Sequence, residues 1–365
     1  MPKVEKPKID TPLSVPSGPE SRFSLCESSA ALRHLEEHGF VVFSSIISCE
    51  EIKTAKDLFW DWMEALNGNI SRFDHSTWKS EGWPGRLNNG IIYQNGIGQS
   101  DYLWYLRTRP NVKEVFRHVW ETNDLITSFD GCCSFRPWKT DPSWRTYGGW
   151  YHFDQSAQKK GKHCVQGILS LTDATAETGG LVILKDSFSK FDYLSKRFSA
   201  KFKKRKAQDF ISTPKYDEIL TSQPLLVTCK AGDLILWDSR TIHCNSPALS
   251  LPATLDQIDV ESPLKKRSKS CNSFDDSKSE DSIVSASNTE LIRLIAYICM
   301  TPFSKASKEI IENRKEAVRE YVTTSHWPHQ FQPTKEPANS VRIHRKIEEL
   351  SEEQRFLIGY RDGVD

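Results

Sequence analysis

The segment Gly149-Trp150-Tyr151-His152-Phe153-Asp154-Gln155 sets an imidazole and a carboxylate two positions apart. On a β-strand, residues i and i+2 point to the same face, so His152 and Asp154 can reach one ion together. A third candidate, His243, follows the run Trp237-Asp238-Ser239-Arg240-Thr241-Ile242. Two imidazoles and one carboxylate make the facial triad of oxygen-activating iron(II) sites, which keeps positions open for a chelating cosubstrate and O2. An isolated H-x-D is weak, because a strand histidine hydrogen-bonded to a neighbouring carboxylate is the plainer reading. Here the motif occurs once among ten histidines and opens a β-rich half of the chain.

The elements that must position these side chains follow from periodicity and punctuation. Residues 29 to 37 read as a helix stopped by Gly39, Phe40-Val41-Val42-Phe43 as a strand, and Cys49 to Leu66 as a helix. In the last, Ile52, Ala55, Leu58, Phe59, Trp62 and Leu66 share one face. Residues 71 to 100 read as a structured loop region and 112 to 120 as another helix. From Leu125 the grammar changes to short strands at 125–129, 131–136, 150–153, 164–171, 181–184, 225–229, 233–237 and 291–299, separated by glycine turns. So many short strands argue for a β-sandwich or barrel. A basic helical insert (187–220, with Lys201, Lys203, Lys204, Arg205 and Lys206) and a Ser-rich charged insertion (249–289) interrupt it. The second has too few apolar residues to order itself and is expected to be a disordered loop, as is the tail over residues 1–22. One domain is expected over 23–330, with a charged helix at 305–322 and an extension over 331–365.

The order of motifs is H-x-D, then Thr178-Gly179-Gly180-Leu181-Val182-Ile183-Leu184, then Ala231-Gly232-Asp233-Leu234-Ile235-Leu236-Trp237 leading into His243. Together with the opening EEHGFVVFSSIISCEEIKTAKDLFWDW, this succession resembles the phytanoyl-CoA dioxygenase family of oxygenases over roughly residues 30 to 305. The resemblance implies a double-stranded β-helix (jelly-roll, cupin-like) core, mainly β with flanking helices. It further implies iron(II), 2-oxoglutarate and O2, and hydroxylation of a small organic molecule with release of succinate and CO2. Carried over to this chain, His152, Asp154 and His243 hold the metal. A carboxylate at position 154 points to hydroxylation, because related halogenases have a small residue there.

The family's cosubstrate arginine follows the distal histidine by about a dozen residues, where this chain has its insertion. Arg293, opening Arg-Leu-Ile-Ala-Tyr-Ile-Cys, is the preferred candidate over Arg267, because a strand holds a bidentate fork rigidly and a loop does not. Gln166 shares a strand face with Ile168 and Ser170 and is either a cosubstrate contact or a tolerated core polar residue. Asn245 stands where the family often has a hydroxyl residue that binds the cosubstrate, a departure from the pattern. Gln155, Trp150 and Arg136 either line the substrate mouth or pack the rim, and Asn88-Asn89-Gly90 with Asn95-Gly96-Ile97-Gly98 read as a substrate lid or a plain loop.

Bulk properties narrow the partners. With 49 basic and 48 acidic residues the net charge is +1, which gives no reason to expect a nucleic-acid binder. Apolar runs are too short to span a bilayer, and the start has no signal-peptide stretch. Nine scattered cysteines without a C-x-x-C pair read as reduced thiols, hence a cytoplasmic protein. Nuclear entry is the alternative, because Lys265-Lys266-Arg267-Ser268-Lys269 resembles a localisation signal, although such runs are usually just solvated. A small-molecule substrate is expected. The alternatives are an oxygenase acting on a protein or nucleic-acid group, an inactive binding module, and a metal cupin without 2-oxoglutarate.

Overall fold

The computed structural model describes residues 22–201, 209–222, 224–247, 290–336 and 349–361. The expectations for residues 1–21, for Lys203 to Lys206, for 249–289 and for Arg267 within it lie outside these.

Local signals set the N-terminal elements. Strand β1 (Arg22–Phe23) pairs in parallel with β2 (Phe40–Phe43), and α1 (Ser28–His38) lies between them in sequence. Gly39 ends α1 with φ +78, the left-handed conformation glycine adopts at least cost, and a Cβ there would collide with the Thr241 hydroxyl. Helix α2 (Cys49–Asn67) starts at a capping box in which Ser48 accepts from the Glu51 N–H and the Glu51 carboxylate accepts from the Ser48 N–H. After β3 (Ile91–Ile92) come α3 (Asp101–Arg107) and α4 (Pro110–Trp120), the latter with proline at its first turn, where no N–H is needed.

The rest is short strands: β4 (Leu125–Thr127), β5 (Cys132–Phe135), β6 (His152–Phe153), β7 (Val165–Ser170), β8 (Gly180–Ile183), β9 (Ile211–Ser212), β10 (Leu225–Leu226), β11 (Leu234–Asp238), β12 (His243–Ser246), β13 (Arg293–Tyr297) and β14 (Met300–Pro302). Helix α5 (Phe191–Lys201) precedes β9, and α6 (Lys308–Arg319) and α7 (Glu352–Ile358) follow β14. A seven-stranded sheet runs β1-β2-β11-β7-β13-β5-β3 and a five-stranded sheet runs β10-β8-β12-β6-β9, while β14 and β4 form a separate ribbon.

Three apolar clusters show how strand alternation sorts the side chains. Phe40, Val42, Ile168, Ile235, Trp237 and Ile295 of the large sheet meet Leu181, Ile183 and Leu225 of the small one, so these residues face one another between the sheets. Their strand neighbours Val41, Phe43, Val165, Leu169, Leu234, Leu236, Leu294 and Ala296 point the other way and pack under α1 to α4. On the far side of the small sheet, Phe153, Val182, Leu226 and Cys244 pack against Phe191, Leu194 and Phe198 of α5. The expected face of α2 packs on the core, with Ala55, Phe59, Trp62 and Leu66 buried, Ile52 and Leu58 half-buried, and Met63 added to it.

Several expectations change in detail. The run 125–129 yields a strand only to Thr127, which leaves the main sheets to pair with β14, and the run 291–299 is a strand only over β13 (Arg293–Tyr297), β14 starting beyond it at Met300. The insert over 187–220 is helical only in part, since β9 pairs with the motif strand β6 in register His152 to Ser212. Arg22, assigned to the tail, is ordered: its guanidinium holds the buried Asp233 carboxylate at 2.8 and 2.9 Å. The C-terminal extension is packed on the body through Leu357 and Ile358, and buried Arg314 of α6 donates to the carbonyls of Ile358 and Thr127.

Asp233 also accepts from the Ser45 and Lys230 N–H groups, so one carboxylate ties the N-terminal strand to the turn before β11. Its removal would leave these donors without the one carboxylate that ties them together. Asp233→Ala should destabilise by about 3 kcal/mol. Arg22→Ala removes only the partly exposed member and should cost about 1 kcal/mol. Urea unfolding would check both, and equal losses would contradict the ranking.

Candidate metal centre

His152 of β6 and His243 of β12 are register partners on neighbouring strands, so the sheet itself brings the two imidazoles together, with ring centroids 4.3 Å apart. Asp154 lies two residues after His152, and its N–H donates to the Ser239 carbonyl, which turns its carboxylate between the rings. His152 Nε2 is 3.3 Å from Asp154 Oδ1 and His243 Nε2 is 3.2 Å from Asp154 Oδ2. One ligand atom from each of the three lies within 4.8 Å of the others, and all three residues are buried.

The proton positions follow from the outer contacts. His152 Nδ1 is 3.1 Å from the Trp150 carbonyl and His243 Nδ1 is 2.9 Å from the Thr241 carbonyl. A carbonyl only accepts, so each Nδ1 carries the proton and each Nε2 offers a lone pair. Two lone pairs and a carboxylate therefore converge with no proton between them. Burial, and then the neighbouring His152, push the His243 imidazole below its ordinary range and favour the neutral, ligating form. Burial works to raise the Asp154 carboxyl, and positive charge at this point, on an imidazole or on a bound ion, draws it well below the usual carboxylate range. Two ligands bound at right angles about 2.1 Å from one ion would be about 3 Å apart, close to what is seen. The donor set thus fits a divalent cation of the iron(II) type.

Gln166 sits on the inner face of β7, and its Nε2 donates to Asp154 Oδ2 at 2.9 Å. Its amide is thereby committed to the carboxylate. Trp150 and Phe210 stack on His152 at centroid distances of 5.0 and 4.4 Å. The site opens into a cavity of about 1140 Å³ between the sheets. Three buried nitrogens on its wall, Trp150 Nε1, Trp237 Nε1 and His326 Nε2, have no hydrogen-bond partner among the described residues, as expected of a space shaped for a polar occupant.

Arg293 is 2% exposed and points between the sheets from the first position of β13. Its Nη1 donates to Cys133 Sγ at 3.5 Å, Phe135 lies under its guanidinium, and Nε has no hydrogen-bond partner among the described residues. No carboxylate among the described residues pairs with it, so it suits an anionic ligand. Arg293 does not itself line the cavity. Cys133 Sγ lies next to it and is 3.9 Å from Asn245 Nδ2, which also donates to the Tyr297 hydroxyl at 3.1 Å. Asn245 and Tyr297 line the cavity on this side.

The weaker candidates divide. Trp150, Asn88 and Asn89 line the cavity, whereas Asn95 to Gly98 do not. Gln155 is fully buried and spends its amide on the Lys159 and Gly161 carbonyls. Arg136 donates to the Trp78 carbonyl at 2.6 Å between the Trp83 and Trp144 rings, a packing role. Arg240 grips Asp238 through two 2.8 Å hydrogen bonds. Sequence reasoning missed Phe210, Asp130, Tyr297 and the stretch Thr324 to Trp327, all on the cavity wall. The aromatic and histidine-rich run His326-Trp327-Pro328-His329 was the available signal for the last of these.

The committed amide yields a graded expectation. Asp154→Ala should abolish stoichiometric Fe(II) binding. Gln166→Leu should keep the ligands but weaken Fe(II) roughly 10- to 100-fold by loosening the carboxylate. Anaerobic metal titration reads both, and an unchanged Gln166→Leu affinity would remove the amide from the site.

Known proteins resemble this chain in sequence and in fold. The curated relative Ava biosynthesis cluster protein O of Aspergillus versicolor is 27% identical over 306 residues, covering 80% of this chain and 84% of the relative. Among solved structures, a hypothetical protein JW0805 from Escherichia coli shares the fold with TM-score 0.53 at 12% identity, covering 94% of this chain and 86% of that one. The epimerase SnoN, solved in complex with Fe3+, alpha ketoglutarate and nogalamycin RO, has TM-score 0.47 at 12% identity, covering 76% of this chain and 84% of that one. The family pattern described as phytanoyl-CoA dioxygenase (PhyH) matches residues 35–250, more than half of the chain's length, and the chain belongs to that family.

Proposed function

We propose that this protein is an iron(II)- and 2-oxoglutarate-dependent dioxygenase that hydroxylates a small organic molecule, on a double-stranded β-helix formed by the two facing sheets. The observation that carries the reading is a pair of complementary sites on the inner faces. Three lone-pair donors converge on one point, and a buried arginine nearby lacks an anion. With iron(II) and 2-oxoglutarate bound, the site would supply O2-driven oxidation of a C–H bond, 2-oxoglutarate leaving as succinate and CO2.

The chain's own residues have separable tasks. His152, Asp154 and His243 hold the metal, and Gln166 acts through Asp154. Arg293 takes the far carboxylate of 2-oxoglutarate. Asn245 and Tyr297 line the cavity, and Asn245 and Arg293 meet at Cys133 Sγ, which puts the arginine one side chain behind that wall. Trp150 and Phe210 shield the His152 ring from water. The cavity volume suits a small molecule better than a folded macromolecule. Among the described residues no helix is long and apolar enough to cross a membrane, and the eight described cysteines are free thiols. Both observations support the cytoplasmic reading.

Arg293→Leu should leave Fe(II) binding intact and weaken 2-oxoglutarate by about 2–3 kcal/mol, roughly 30- to 150-fold. Anaerobic titration of the iron-loaded protein, followed by the visible charge-transfer band, measures this, and succinate release measures turnover. Unchanged 2-oxoglutarate affinity in the variant would favour a metal cupin that does not use the cosubstrate.

A further inference from the structure

The cavity wall carries three acidic residues, Asp130, Asp154 and Asp209. Asp154 belongs to the metal triad. Asp209 is spent, pairing with Lys159 at 2.7 Å and accepting from the Ser156 N–H at 3.0 Å. Asp130 differs from both. Its carboxylate accepts from the Gly131 N–H at 2.8 Å, and no cation among the described residues forms an ion pair with it.

The backbone around Asp130 is fixed. Buried Arg107 donates to the Asp130 carbonyl at 2.8 Å and to the Gly98 carbonyl at 2.5 Å. The Phe129 carbonyl accepts from the Thr324 N–H at 2.8 Å, which fastens the 324–327 wall to the same spot. At Gly131 a Cβ would run into the Ile92 carbonyl, so the chain passes here with no slack. Asp130 is thus a carboxyl group held rigidly at the edge of the cavity, the form that binding groups take when they are built in advance.

Chemistry decides what it faces. 2-Oxoglutarate carries two carboxylates and is repelled by a third, so Asp130 cannot serve the cosubstrate. Burial pushes its carboxyl up to about 7 against the pull of the Gly131 N–H and Arg107, so the site as it stands lacks the counter-charge that would ionise it fully. The same cavity has aromatic walls: Tyr93 passes beside Gly131, and Tyr147, Trp150 and Phe210 line the space as well. Aromatic faces beside a carboxylate are a favourable setting for an organic ammonium ion. The two cationic lining residues are placed otherwise: Arg86 donates to the Tyr93 hydroxyl at 2.8 Å, and Lys215 is exposed.

We propose that Asp130 is a specificity-determining residue that binds the protonated amine of an aromatic or polycyclic small-molecule substrate, orienting it in the cavity above the metal centre. The proposal rests on the oxygenase reading for the identity of the site, but charge selection by the cavity can be measured separately from it.

Three probes of matched shape test it: 2-phenylethylamine, the neutral propylbenzene and the anionic 3-phenylpropionate. The full chain is loaded with Mn(II), an inert stand-in that masks the Asp154 charge, and saturated with 2-oxoglutarate so that Arg293 is occupied. Calorimetric titration should then show the amine bound at least tenfold tighter than either other probe. Asp130→Asn should erase that preference by weakening the amine alone, with Mn(II) affinity and thermal stability unchanged. Tighter binding of 3-phenylpropionate by the wild type would overturn the proposal and assign charge selection to Arg86 and Lys215. No amine preference in the wild type, or the same preference in Asp130→Asn, would overturn it as well. The wild-type comparison stands even if the variant misfolds. Failure of 2-oxoglutarate to bind the Mn(II)-loaded wild type sinks the oxygenase reading instead, and the amine preference is then read without the cosubstrate.

Discussion

Asp154 is buried, and a buried carboxylate must find donors or positive charge within reach. The surrounding architecture meets that demand. Two imidazoles approach it on adjacent strands, their outer nitrogens already bonded to carbonyls, and Gln166 supplies an N–H from the opposite sheet. The two sheets are therefore joined at this point by a polar contact within an otherwise apolar interior. Without a cation the two inner nitrogens face the carboxylate as lone pairs, and the Gln166 N–H is the donor that remains to it. With one, the lone pairs have an electrostatic partner, and the same contact couples sheet packing to metal occupancy.

Strand alternation is the second organising constraint. A shift of one residue in β7 would turn Gln166 toward the helices and Val165 or Gly167 toward Asp154. The same holds for β13, where Arg293 and Tyr297 face inward while Leu294 and Ala296 pack under α1 to α4. Functional groups and core residues alternate along the same few strands, so catalytic geometry and hydrophobic packing stand or fall by a single register.

This explains what could be read in advance. The His152 and Asp154 spacing, the shared face of Gln166, Ile168 and Ser170, and the end of α1 at Gly39 are local, period-two or single-residue signals. They depend on backbone geometry that a short stretch already specifies. Arg293 was reachable because strand chemistry and rigidity favoured it over Arg267. Phe210, Asp130 and His326 were not legible. Phe210 follows a basic run and reads as surface, Asp130-Gly131 reads as a turn, and His326 lies beyond the last strand. Each reaches the cavity only through long-range packing: β9 on β6, Arg107 on the Asp130 carbonyl, Thr324 on Phe129. Strand lengths were overestimated because apolar runs such as 125–129 continue past the point where a partner strand is available.

The position of β13 has a consequence for how the molecule assembles. It is among the last strands in the sequence, yet it lies in the interior of the large sheet, hydrogen-bonded to β7 on one side and β5 on the other. Strand β7 and strand β5 cannot pair with each other first without closing the slot that β13 must fill. During synthesis the metal ligands at 152, 154 and 243 therefore leave the ribosome well before the strand that carries Arg293. Long-range insertion of this kind is slow, because loop closure must precede the reward of pairing. A nascent chain halted before residue 293 would hold the three candidate metal ligands and not the arginine proposed here to take the cosubstrate.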